Sequence, residues 1–155
     1  GFTDCLLQHG AARVVAVDVG RAQFHWRLRH DPRVRLLERT NVRHLTPEQV
    51  GEPVHGAVID VSFISLKLVA PVVGRLLVPG AWMVVLVKPQ FEVGRERVGK
   101  GGVVRDPRLH AEVLEELSGH FRADGWPVRA RAESPVPGPK GNREFLLHLK
   151  SGDPD

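Results

Sequence analysis

Three apolar, strand-like stretches of this chain each carry a charged residue at one end. Asp60 and Lys88 close their stretches, whereas Glu144 opens its own. If the first two stretches are parallel strands and the third runs antiparallel to them, the three side chains lie at one edge of a sheet. A lysine and two carboxylates that converge could handle protons in catalysis, although a single charged strand end is usually solvated or ion-paired.

The rest of the chain predicts the sheet that this arrangement needs. Apolar strand-like segments alternate with helical segments, which is typical of a parallel sheet covered by helices on both faces. The predicted strands are 13–18, 34–38, 56–61 and 81–87. The predicted helices are 1–9, 22–29, 65–77 and 107–121, with a short helix beginning near 46–48.

The end of the chain follows a different pattern. Residues 126–132 and 144–149 are predicted strands, and the Pro-rich segment between them is too short to contain a crossover helix. Two such strands pair antiparallel, so one of them runs against the parallel set. If the reversed strand is the one that Glu144 opens, Glu144 lies at the carboxyl edge of the sheet, where open α/β folds bind ligands.

Composition favours one domain, residues 1–150, followed by a short tail, 151–155. The chain has 155 residues, of which 42% are hydrophobic, and a formal charge of +4 that suits a polyanionic partner. Cys5 is the only cysteine, and the eight histidines form no metal-ligand cluster, so no metal site is predicted. The sequence shows neither a secretory signal nor a membrane span, and we expect a cytoplasmic protein without a membrane partner.

Seven segments, in order along the chain, carry a resemblance to a known family: 1–5, 16–20, 38–41, 60–65, 87–92, 100–107 and 138–145. They resemble the TlyA-type proteins, which are FtsJ-like ribosomal RNA methyltransferases that also bear the name hemolysin A. The resemblance covers essentially the whole chain. It implies a Rossmann-like methyltransferase sheet that binds S-adenosylmethionine. The predicted C-terminal antiparallel hairpin would form the last part of this fold. The implied reaction is methylation of a ribose 2′-hydroxyl in ribosomal RNA, with ribosomal RNA or ribosomal subunits as partners.

The family's catalytic tetrad is Lys, Asp, Lys, Glu, and three of its members correspond to Asp60, Lys88 and Glu144. In that role Lys88 would contact the 2′-hydroxyl and steer its proton, while the two carboxylates orient Lys88. The first lysine, the first strand, most of the glycine loop and a small S4-like RNA-binding domain would all precede Gly1. We therefore expect an N-terminally truncated methyltransferase that lacks its first strand, whose place in the family is between the strands ending in Asp18 and Asp60.

Four residues are candidate contacts for the cofactor. Asp18 ends a predicted strand at the position where an acid accepts hydrogen bonds from ribose hydroxyls. Gly1 and Phe2 resemble the last part of the glycine loop, and Asn41 resembles a residue at the adenine edge. Each has a simpler alternative, because Asp18 could cap a turn and Asn41 could bond its own backbone.

A Gly- and Arg-rich loop, residues 93–105, is the candidate RNA contact. Its exposed cations are predicted to meet RNA phosphates, and the alternative is a merely solvated loop: Arg95, Arg97, Lys100 and Arg105. Three other functions stay open at this point. They are a noncatalytic RNA-binding module with the methyltransferase fold, a membrane-active hemolysin, and a nicotinamide-dependent enzyme.

Overall fold

The structure, a computed structural model, describes residues 2–19 and 26–152. The chain divides into two units, residues 1–52 and 53–155, and each contains one hydrogen-bonded sheet. Three predictions fall partly outside the described residues. They concern Gly1, residues 22–25 of the second predicted helix, and residues 153–155 of the tail.

The first unit contains a two-stranded parallel sheet. Its strands are β1 (Val14–Val17) and β2 (Val34–Leu37), as predicted. Its helices are α1 (Phe2–Gln8), α2 (Trp26–Arg29) and α3 (Pro47–Val50). The start predicted for α3 is confirmed, because Thr46 caps it and exchanges hydrogen bonds with Gln49 in a capping box.

The second unit contains a mixed sheet with strand order β3-β4-β6-β5. The strands are β3 (Val54–Ile59), β4 (Leu77–Val87), β5 (Val128–Glu133) and β6 (Phe145–Lys150). The helices are α4 (Leu66–Gly74) and α5 (Pro107–Ala123). Strand β3 runs parallel to β4, and β6 runs antiparallel to both β4 and β5. The predicted reversal is therefore confirmed, and β6 is the reversed strand.

Two predicted boundaries are wrong. Helix α4 ends at Gly74, and β4 begins at Leu77 instead of residue 81. Pairing of Val54 with Leu77 extends the strand past Pro79 and Gly80, and the register shifts between Val54 and Gly56. Because Pro79 and Gly80 are exposed, the strand tolerates them there despite the missing N–H group of proline.

The core of this unit lies under the central strands. Met83, Val85 and Val87 of β4 are 0% exposed, and Leu147 of β6 is buried to the same extent. Buried residues alternate along β4 and β6, so one face of these two central strands is covered. Helix α5 adds its own buried row to the core: Val113, Leu114, Leu117 and Phe121.

A close contact between β3 and β4 makes Gly56 a test of this packing. A Cβ atom at Gly56 would fall 2.1 Å from Cε2 of Trp82. We expect Gly56→Ala to lower the free energy of unfolding by about 1–3 kcal/mol, because the indole must move. Urea denaturation measures the change. Gly119→Ala is the control, since a Cβ there meets nothing within 4 Å; equal stability of Gly56→Ala and wild type would contradict the packing.

Candidate active site

Asp60 and Lys88 form an ion pair at the carboxyl edge of the mixed sheet. Asp60 follows β3, Lys88 follows β4, and the parallel register of the two strands brings these ends together. The Lys88 Nζ lies 2.6 Å from Asp60 Oδ1 and donates a hydrogen bond of 3.1 Å to Ser62 Oγ. The Lys88 side chain is 13% exposed and that of Asp60 is 45% exposed. The ammonium group is therefore largely covered, while its carboxylate partner faces solvent.

Glu144 lies at the same edge but does not contact Lys88. Val87 pairs with Phe145 in antiparallel register. Lys88, one residue after Val87, and Glu144, one residue before Phe145, therefore lie at the same end of the two strands. Glu144 is only 5% exposed, and its Oε2 accepts a hydrogen bond of 3.0 Å from Gln90 Nε2. Among the described residues no ion pair joins Glu144 to Lys88. The three residues lie at the predicted edge of the sheet. They do not all converge, because Asp60 and Lys88 form a close pair whereas Glu144 contacts Gln90 instead.

The turn that precedes β6 explains where the Glu144 carboxylate lies. A Cβ atom at Gly138 would fall 2.1 Å from Glu144 Oε2 and 2.6 Å from Cδ. Gly138 has an extended backbone, with φ −79° and ψ −170°, so the lack of a side chain matters for space and not for conformation. The carboxylate therefore packs directly against the backbone of this turn.

Gln90 is a site residue that the sequence did not reveal. It belongs to the 3₁₀ turn Pro89–Phe91, directly after Lys88, and it donates to Glu144. Its Oε1 is buried and has no hydrogen-bond partner in the described part of the chain. A buried acceptor without a donor costs about 1–3 kcal/mol, and such groups call for an explanation in a folded protein.

Glu92 connects the loops that carry Asp60 and Lys88. Its carboxylate accepts a hydrogen bond of 2.6 Å from Ser65 Oγ and one of 2.9 Å from the backbone N–H of Leu66, at the start of α4. Burial raises the pKa of Glu92 above its usual value, and the hydrogen bonds from Ser65 and Leu66 and the charge of Lys67 oppose this rise. This carboxylate thus fixes the turn after β4 to the helix that follows β3.

Glu92 gives a testable pH dependence of stability. Because the pKa of Glu92 is raised, the native state binds more protons than the unfolded state above about pH 4.5. The contribution of Glu92 to stability is complete below that pH and is lost as the pH rises through the raised pKa. Urea denaturation from pH 4 to 8 should show this loss in wild type relative to Glu92→Gln. A constant difference between the two proteins across that range would contradict the assignment.

Phe63 has an exposed aromatic side chain and belongs to the loop that carries Asp60. Phe63 is 89% exposed and has a left-handed backbone, with φ 64°. Its ring centroid lies 4.8 Å from that of Phe91. Left-handed backbone is rare for a bulky residue and often marks a functional loop. The sequence showed no signal for Phe63, since its exposure depends on the loop conformation.

In the first unit, two of the four predicted cofactor residues, Asp18 and Asn41, follow the carboxyl ends of β1 and β2. Asp18 follows β1, and its carbonyl accepts a hydrogen bond of 3.0 Å from the N–H of Thr40. Asn41 comes next, and its Oδ1 accepts from the N–H of Arg43, as the simpler alternative foresaw. Phe2 is the first residue of α1, and Gly1 lies outside the described residues. The hydrogen bond from Thr40 thus joins the segments that carry Asp18 and Asn41, and these residue types suit the ribose hydroxyls and base edge of a nucleoside.

The predicted RNA-binding loop contains two short 3₁₀ turns, Arg95–Arg97 and Lys100–Gly102. Arg97 makes a bidentate contact with Glu112 of α5, at 2.8 and 2.6 Å. This contact raises the pKa of Arg97 and lowers the pKa of Glu112. Arg95, Lys100 and Arg105 are exposed. Their role as RNA contacts stays a prediction, and the charge of Arg97 is already paired within the protein.

Residues 2–19 and 26–152 contain neither a candidate membrane span nor a candidate metal site. None of the helices in these ranges is long and apolar enough to cross a membrane. Within the same ranges, His, Cys, Asp and Glu side chains form no group of three that could hold a metal ion.

The fold is that of the α/β methyltransferases. A 1,6-didemethyltoxoflavin-N1-methyltransferase from Burkholderia thailandensis, for example, matches 97% of this chain with a TM-score of 0.63 at 20% identity. Residues 1–151 match the FtsJ-like methyltransferase family, and the chain belongs to that family.

Relatives in several bacteria extend this match. "Putative rRNA methyltransferase YqxC" of Bacillus subtilis is 54% identical over 151 residues, 96% of this chain and 53% of that protein. The 16S/23S rRNA (cytidine-2′-O)-methyltransferase TlyA of Mycobacterium tuberculosis is 50% identical over 97% of this chain and 56% of its own. The solved structure "Putative hemolysin from Streptococcus thermophilus" has a TM-score of 0.94 and 47% identity, over 98% of this chain and 55% of that one. The chain thus spans about half the length of these relatives.

Proposed function

We propose that this protein transfers a methyl group from S-adenosylmethionine to a ribose 2′-hydroxyl of ribosomal RNA. The observation that carries the proposal is the Asp60–Lys88 pair, with Nζ and Oδ1 2.6 Å apart at the carboxyl edge of the sheet. The names of TlyA and YqxC support the reaction and the substrate, since both relatives are at least 50% identical to this chain over 151 aligned residues.

Lys88 is the residue that would hold the nucleophile. Its Nζ has three donors as an ammonium group, and Asp60 and Ser62 are its partners in the described part of the chain. One donor direction therefore remains for the 2′-oxygen of the target ribose. Because the side chain is 13% exposed, water competes little for that direction. Lys88 would align the oxygen for in-line attack and steer its proton to water or to the exposed Asp60 carboxylate, while the O–CH3 bond forms and the CH3–S bond breaks.

Asp60 and Glu144 would act through position and charge. Asp60 fixes the direction of the Lys88 side chain by direct contact. Glu144 places a buried negative charge further along the same edge, where Gln90 and the backbone at Gly138 keep it in one orientation. In the structure Glu144 is thus ordered without Lys88, which suits a group that contacts substrate or tunes the local field.

The first unit contains the residues that would hold the cofactor. Asp18 would accept hydrogen bonds from the ribose hydroxyls, Asn41 would meet the adenine edge, and Gly1 and Phe2 would approach the methionine portion. S-adenosylmethionine, when bound, supplies a methyl group on a sulfonium. The likeness of the fold to that of other methyltransferases is consistent with this assignment.

Ribosomal RNA, free or within a subunit, is the proposed partner, and the cytoplasmic location stays an expectation from the sequence. The proposal is tested by incubating the protein with unmodified ribosomal RNA and tritiated S-adenosylmethionine. We expect label in RNA that exceeds label in DNA of the same sequence, which lacks the acceptor hydroxyl. RNA binding without any label would instead support the noncatalytic RNA-binding module.

A further inference from the structure

Two cationic side chains lie against one short stretch of backbone, Gly99 to Gly101, which itself contains Lys100. The Arg105 Nη1 donates a hydrogen bond of 3.4 Å to the carbonyl of Lys100. Lys140 also approaches this backbone, because a Cβ atom at Gly101 would lie 4.0 Å from its Nζ. Lys100 lies between these two glycines. Lys100, Arg105 and Lys140 therefore belong to two loops, distant in sequence, that meet at this stretch of backbone, and we call these three residues the cationic cluster.

The charges of this cluster are not neutralised by the protein. All three residues are exposed, and none of them takes part in an ion pair within the described residues. Neighbouring arginines behave differently, since Arg97 is paired with Glu112 and Arg143 with Glu133. Positive charges on two adjoining loops, without an acidic partner in the described residues, favour binding of an anion.

The backbone around Lys140 holds it in an unfavourable conformation. Lys140 has φ 57° and ψ 24°, in the left-handed region, and it is followed by Gly141 with φ 85°. A lysine rarely adopts this conformation without a local reason, and such outliers concentrate at binding sites. Gly or Asn would suit the backbone better, so the presence of lysine here indicates a use for its charge.

Asn142 joins the two loops. It is 3% exposed, and its Oδ1 accepts a hydrogen bond of 3.0 Å from the N–H of Val104. Its Nδ2 donates to the carbonyls of Gly102, at 3.0 Å, and Pro139, at 3.2 Å. A buried side chain with these partners makes the loops a single unit. That unit also contains Gly138, whose backbone contacts the Glu144 carboxylate.

From these contacts we infer that Lys100, Arg105 and Lys140 bind backbone phosphates of the RNA substrate, with Asn142 as the positioning residue. The inference rests on the proposed function and deepens it. It adds Lys140 to the contacts predicted from the sequence and assigns Arg97 a structural ion pair. Since Asn142 precedes Glu144 by two residues, the bound phosphates belong to nucleotides near the target ribose.

The salt dependence of RNA binding tests this inference. Each phosphate contact contributes about 0.7–0.9 to the slope of log K against log salt concentration. We expect Lys140→Gln to lower the slope for unmodified ribosomal RNA by about that amount. The loss of affinity relative to wild type should therefore be about threefold larger at 50 mM salt than at 200 mM. The control is Lys150→Gln, which removes an exposed lysine at the end of β6 and should leave the slope unchanged.

A second variant separates charge from folding. Lys140→Gly removes the charge and suits the left-handed backbone, so it should raise the melting temperature or leave it unchanged while it lowers the slope as Lys140→Gln does. An unchanged slope in both variants, with wild type still binding RNA, would overturn the inference and leave the proposed function intact. Failure of wild type to bind RNA would overturn both. Loss of methyl transfer in Lys88→Ala with an unchanged slope would support the proposed function independently of the cluster.

Discussion

Lys88→Ala is expected to lower the rate of methyl transfer to ribosomal RNA by about 100- to 10,000-fold, the range for loss of a group that handles a proton in catalysis. The alanine removes the ammonium group that Asp60 and Ser62 hold at the sheet edge. The fold should survive, since the lysine lies at the end of β4 and outside its buried row. Initial rates with tritiated S-adenosylmethionine measure the effect.

The matched control for this variant is Lys150→Ala. Lys150 also lies at a strand end, but it is exposed and belongs to the opposite end of the β4–β6 pair. RNA affinity and melting temperature should be nearly equal in the two variants and in wild type. Labelling by Lys88→Ala at the wild-type rate would remove Lys88 from the mechanism, however well it binds RNA.

Gly138→Ala is expected to lower the rate of methyl transfer by about 10- to 100-fold, although no charged residue is replaced. The new Cβ would overlap Glu144, 2.1 Å from Oε2 and 2.6 Å from Cδ, so the buried carboxylate must leave its position. Because φ at Gly138 is −79°, alanine suits the backbone, and the overlap is the only expected cost. Rates and melting temperatures of the variant distinguish displacement of Glu144 from unfolding.

A double-mutant cycle decides whether Gly138→Ala acts through Glu144. Glu144→Gln removes the charge and keeps the shape, and we expect its loss of rate to be at least as large. If the glycine acts only by holding the carboxylate, Gly138→Ala adds little to Glu144→Gln. Gly119→Ala, a new methyl group in open space on α5, should leave the rate unchanged. Additive losses in the double variant would contradict this explanation.

The sequence predicted the strand ends of the site well, because they depend on local patterns. The Pro-rich segment 134–142 left no room for a helix, which required the antiparallel pairing of β5 with β6 that the structure shows. Parallel pairing of β3 with β4 then brought Asp60 to Lys88. These steps need only the period of a strand and the length of a connection.

The contacts that orient the side chains could not be predicted in this way. Glu92 reaches Ser65 across 27 residues, and Asn142 reaches Val104 across 38. Neither residue type nor spacing identifies such pairs, because they form only after the loops pack. Loop packing also explains why Glu144 contacts Gln90 and not Lys88. It likewise explains why Arg97 forms an ion pair with Glu112.

The position of the transferred methyl group tests the central claim most directly. Ribosomal RNA labelled by the protein is digested completely with alkali, which cleaves RNA next to every free 2′-hydroxyl. If the Asp60–Lys88 edge activates a ribose hydroxyl, the label appears in alkali-resistant dinucleotides and in a 2′-O-methylated nucleoside by mass spectrometry. Label recovered on a base in mononucleotides would contradict the account.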